Sequence, residues 1–115
     1  MAQLDFRNHS AAQDMIRIIM RDEKLTVNEA IEFAINREMH KTILREGYAS
    51  IALDFWGHDD PEREWDTLED PIVDIELDKL RERLVEDISE KQNVDAETAV
   101  SYFLIFTMDS MGYHI

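Results

Sequence analysis

A chain of 115 residues with 44% apolar content is long enough to bury a core, and its lack of cysteine excludes disulfides, thiolate zinc sites and a cysteine nucleophile. The formal net charge of -14 and the pI near 4.5 set the whole molecule against nucleic acid, whose binding gains affinity when Lys and Arg replace counterions. The start, Met1-Ala2-Gln3-Leu4-Asp5-Phe6, has no basic-then-apolar leader, and no stretch approaches the roughly eighteen apolar residues of a membrane span, so the expectation is a cytoplasmic protein without membrane attachment.

In chain order, Leu4 and Phe6 alternate with polar residues as a half-buried strand does. A helix follows, with Ser10 as N-cap and Ala12, Met15, Ile16 and Ile19 on one face, ending near Lys24. Thr26 and Glu29 form the capping box of a second helix, with Leu25 as its staple. Gly47 in Arg45-Glu46-Gly47-Tyr48 is placed to stop it. Residues 46–70 hold nine acids against Arg63 alone, a net charge of -8. Within them Ser50-Ile51-Ala52-Leu53-Asp54-Phe55-Trp56 alternates like a strand, followed by the acidic run from His58 to Asp66. Then the first pattern returns: Val73, Ile75 and Leu77 alternate, Asp78 caps a helix carrying Leu80, Leu84, Val85 and Ile88, and Asn93 ends it. Asp95 caps a last helix whose stretch from Ala99 to Phe106 is apolar nearly all round, with Gly112 at its close.

A shift of 69 positions superposes the two ends: Leu4 and Phe6 on Val73 and Ile75, Met15, Ile16 and Ile19 on Leu84, Val85 and Ile88, Ala30 and Ile31 on Ala99 and Val100. The organisation expected is therefore one compact domain over 1–115, made of repeat 1 (2–48), an acidic linker (49–71) and repeat 2 (72–115). Its charge is uneven: residues 1–45 balance to zero and residues 71–115 carry -6.

A strand followed by two helices with a cap between them resembles the ribbon-helix-helix superfamily. Ile72-Val73-Asp74-Ile75-Glu76-Leu77-Asp78 and Asn93-Val94-Asp95-Ala96-Glu97-Thr98-Ala99-Val100-Ser101-Tyr102-Phe103-Leu104, closed by Met111-Gly112-Tyr113, look most like RelB/DinJ-type antitoxins. The resemblance covers the last 44 residues well and the first 47 more loosely. It implies a mainly α fold: a tandem strand-helix-helix pseudo-dimer with a two-stranded antiparallel ribbon and about four helices, monomeric or a weak homodimer. In that superfamily the outward ribbon side chains read the major groove. Here those positions are Gln3, Asp5 and Arg7 in one strand and Asp74 and Glu76 in the other, so carboxylates stand where a DNA reader presents amides and cations.

The function expected is a non-enzymatic, antitoxin-like protein that engages a basic partner, such as an RNA-cleaving toxin, with nucleic acid an improbable ligand. Phe55, Trp56, Asp59, Asp60, Glu62, Glu64, Trp65 and Asp66 are its candidate contact residues, since aromatic anchors amid charge suit a protein interface. The same aromatics could instead cover the domain's own core. A DNA-binding regulator and an acidic nucleic-acid mimic are the competing readings. His58 and its neighbouring acids lack any metal-loop spacing, His9, His40 and His114 stand alone, and no Gly-rich phosphate loop or nucleophile elbow exists, so neither cofactor, metal nor catalysis is expected.

Overall fold

The computed structural model describes residues 2–38, 48–56 and 65–113. Among them the chain is mainly helical, with five helices and one two-stranded antiparallel sheet. The order is β1 (Ala2–Asp5), α1 (Ser10–Glu23), α2 (Val27–Glu38), α3 (Tyr48–Phe55), β2 (Ile72–Ile75), α4 (Lys79–Gln92) and α5 (Ala96–Ser110).

Alternation sets the ribbon. Leu4 faces Val73 and Gln3 faces Asp74 in register, with Leu4, Val73 and Ile75 turned to the core and Phe6 buried just beyond the strand end. Gln3, Asp74 and Glu76 point away from it and are exposed. Above the ribbon, α5 is the central helix: every residue from Ala99 to Met108 is buried, because α1, α2, α3 and α4 all pack against it. Ser101 and Thr107 are tolerated there because each hydroxyl donates to the carbonyl four residues back, Glu97 and Phe103. One continuous core draws on both ends of the chain.

Local chemistry fixes the helix ends. The Thr26 hydroxyl accepts from the Glu29 amide while the Glu29 carboxylate accepts from the Thr26 amide, a closed capping box. Asp78 and Asp95 accept from the amides of Arg81 and Thr98. Lys24 and Asn93, at φ 56° and 54°, turn left-handed after α1 and α4, and the next amides, of Leu25 and Val94, return to the carbonyls of Met20 and Ser89. Gly112, at φ 89°, ends α5, with the Tyr113 amide bonded to the Met108 carbonyl. The limits of α1 and α4, the two left-handed turns and the starts of α2 and α5 are each 69 positions apart.

Three expectations are corrected. Ser10 is the first residue of α1 rather than its cap; His9 occupies the cap position and makes no side-chain capping bond. The helices number five among the described residues, not about four. The extra one is α3, formed by residues that alternate like a strand. Leu53 belongs to both periods, but Ala49, Ala52 and Trp56 recur at three and four and are the buried set, while Ile51 and Phe55 face outward. The two alanines bring this short helix close to α5, and burial of Trp56 outweighs the alternation. Gly47 lies outside the described residues.

Candidate interaction surfaces

Two polar residues on α1 hold the segment between the ends of the chain. Asp14 and Gln13 are buried at the start of an otherwise apolar face. The Trp56 indole N–H donates to Asp14 Oδ2 at 2.7 Å and the Asp66 amide to Asp14 Oδ1 at 3.1 Å. Gln13 donates to the Phe6 carbonyl at 2.7 Å and accepts from the Leu68 amide at 2.9 Å. A buried polar group is stable only when its bonds are made, and here those bonds seat α3 and residues 65–68 on α1. Of the expected contact residues, Trp56 is therefore core, 1% exposed, because its one polar atom is taken by Asp14. Trp65 is half-buried against the core, the Asp66 side chain is exposed, and Phe55 is 58% exposed. Asp59, Asp60, Glu62 and Glu64 lie outside the described residues.

Ile51, one helical turn before Phe55 and equally exposed, joins it on the outer face of α3. Assigning residues 50–56 to a strand hid this pair, since alternation puts Ile51, Leu53 and Phe55 on one face without distinguishing the buried one.

The outward face of the ribbon is the second surface. Arg7 grips Asp5 through two parallel bonds, Nε to Oδ1 at 2.9 Å and Nη2 to Oδ2 at 2.6 Å. That guanidinium and the Arg7 amide hold the Asp5 carboxyl down to about 2, and the Arg7 pKa rises in return. The Gln3 amide donates to Asp74 Oδ1 at 3.1 Å. Both donors on the face are thus engaged with its own carboxylates, while Asp74 and Glu76 present negative charge to solvent. Behind the strand, Glu97 of α5 accepts the Asp5 amide. Comparison of the chain with family models, with curated proteins and with solved structures found no match.

Among the described residues, no group of three or more His, Asp and Glu is placed to hold a metal ion, and no helix is long and apolar enough to cross a membrane.

Proposed function

We propose that the chain is a tandem strand-helix-helix pseudo-dimer and acts as a non-enzymatic, antitoxin-like protein that binds a basic partner protein. Support for the pseudo-dimer comes from the register: Leu4 faces Val73, its own counterpart 69 positions on, as a two-fold axis through the ribbon requires. The observation that carries the function is the outward ribbon face. Arg7 and Gln3, the side chains suited to base edges, are turned onto Asp5 and Asp74, and the remaining charge is negative. A surface so arranged repels phosphate and attracts a cationic protein.

The test is copurification from the native cells after crosslinking, beside a gel-shift titration on the chain's own promoter. A stoichiometric basic protein with no DNA shift is expected. A salt-sensitive, sequence-specific shift without such a protein would establish the regulator reading instead. Light scattering is expected to give a monomer, or a weak dimer that dissociates on dilution, because a pseudo-dimer has no obligatory need for a second chain; an obligate dimer would show that each half pairs with another molecule.

A further inference from the structure

The segment ahead of β2 runs along α1, tied by the bonds from Asp66 to Asp14 and from Leu68 to Gln13 and by the Phe6 amide to the Pro71 carbonyl at 2.9 Å. Leu68 is buried there. On α4, the counterpart of α1, no described residue plays this part. Only Val85 and Ile88 of α4 are buried, and Leu80 is 58% exposed.

Between α4, α5 and the ribbon lies an open, almost wholly apolar cavity of about 150 Å³, walled by Leu4, Ile75, Leu77, Val85, Ala96 and Val100. Four of its walls are smaller than their counterparts in the first half, while Leu4 and Leu77 are larger than theirs, Val73 and Asn8. Ile75, Val85, Ala96 and Val100 stand where the first half has the larger Phe6, Ile16, Val27 and Ile31. Arg81 stands where the first half has Ala12, and its guanidinium reaches Asp78 and Asn36 of α2. Two carboxylates one helical turn apart, Glu82 and Glu86, border the cavity and make no side-chain bond with any described residue.

We propose that this cavity seats an extended cationic segment of the partner protein, one large apolar side chain filling it and flanking Lys or Arg residues meeting Glu82 and Glu86. The proposal rests on the pseudo-dimer and on the basic partner. An apolar void of this size takes a group as large as a benzene ring, which suits Leu or Phe. Glu82 occupies the position of Gln13, whose side-chain oxygen accepts the Leu68 amide, so its carboxylate is placed to accept a backbone N–H in the same way. Of the neighbouring cations, Arg81 is committed to Asp78 and Asn36 and Arg83 pairs with Asp87 at 3.3 Å, while Lys79, one turn before Glu82, makes no ion pair with a described residue. Residues 65–71 on α1 thus show the pose, and the charge at α4 selects the occupant.

The probe is a short synthetic peptide with a central leucine flanked by lysines, titrated into the full chain and followed by methyl NMR and fluorescence anisotropy. Saturable, salt-weakened binding that shifts the methyl signals of Leu4, Val85 and Val100 is expected, about tenfold weaker when the leucine is replaced by serine. The variant E82Q/E86Q, isosteric with the wild type, is expected to weaken binding about tenfold, and Ala96→Leu, which adds bulk to the cavity wall, to abolish it. No saturable binding, undiminished binding to both variants, or shifts confined to Ile51 and its neighbours on α3 would overturn the assignment. Capture of the native basic partner equally by the wild-type and Ala96→Leu chains overturns the cavity alone and leaves the binding function standing. Absence of any such partner for the wild type removes the function, and the cavity's occupant with it.

Discussion

The indole N–H of Trp56 and the carboxylate of Asp14 meet at 2.7 Å in the core, 42 residues apart in the chain. This bond, with the second that Asp14 accepts from Asp66, joins the middle of the chain to α1. Removing the carboxylate takes the acceptor from both of these N–H donors, each loss costing about 1–3 kcal/mol. Asp14→Ala is therefore expected to lower stability by about 2–4 kcal/mol and Trp56→Phe by about 1–2 kcal/mol. Urea unfolding of the two single variants and the double variant forms a cycle, in which a coupling of about 1 kcal/mol or more is expected. Strict additivity would show that the pair does not cooperate.

The left-handed turns after α1 and α4 differ in how well their residues tolerate that backbone. Lysine resists φ 56° more than asparagine resists φ 54°, since a short amide side chain is at home in this region. Lys24→Gly is expected to raise stability by about 0.5–1 kcal/mol and Asn93→Gly by less. Gly112→Ala is expected to cost about 1 kcal/mol. A Cβ there would meet nothing within 4 Å, so that loss would be purely conformational. Thermal melts of the three variants decide the order.

Acid should weaken the fold through carboxyls whose charged form the folded chain favours. The Asp5 carboxyl drops from 3.8 to about 2 against Arg7; the Tyr113 hydroxyl and Arg21 lower Asp22, and the Thr26 amide lowers Glu29. Each holds its proton less tightly when folded than when unfolded. The stability they contribute is complete above the unfolded values and is lost as pH falls through the folded ones, for Asp5 between about pH 4 and pH 2. A urea series across this window is expected to show a shallower decline for Asp5→Asn than for the wild type. Parallel curves would refute the Asp5 contribution.

The cavity beside α4 should be open to filling. Val85→Ile restores the side chain found at the equivalent place in α1, where Ile16 is fully buried, and is expected to add about 0.5–1 kcal/mol. A loss of stability on calorimetry would mean that the wall does not yield the space of one methyl group.

What the sequence revealed of the fold was its local part. The capping box at Thr26 and Glu29, the caps at Asp78 and Asp95, and the stop at Gly112 are legible because each needs a particular short side chain at a fixed offset from a backbone group. The apolar run from Ala99 to Phe106 likewise announces a helix covered on all sides. What stayed hidden depends on partners distant in sequence. Nothing near Asp14 marks it as the acceptor for Trp56, and nothing near Trp56 says that its indole is buried rather than offered to another protein. The helix α3 was obscured because its residues satisfy two periods at once, and only packing of Ala49 and Ala52 onto α5 chooses between them. The ribbon's donors were visible as residues, but their engagement with Asp5 and Asp74 is a matter of geometry.

The pairing of Leu4 with Val73 also bears on how the molecule assembles. The helical hairpins α1–α2 and α4–α5 are built from contacts near in sequence, whereas the ribbon joins strands at opposite ends of a 69-residue loop. Closing a flexible loop of that length costs about 4 kcal/mol beyond a fixed initiation term, so the sheet has little to offer until the hairpins have shortened the path between its strands. The ribbon is therefore expected to form late and unimolecularly. In the proposed pseudo-dimer the rate of closure is expected to be independent of dilution, each newly made chain carrying its own complement without waiting for a second molecule to be synthesised.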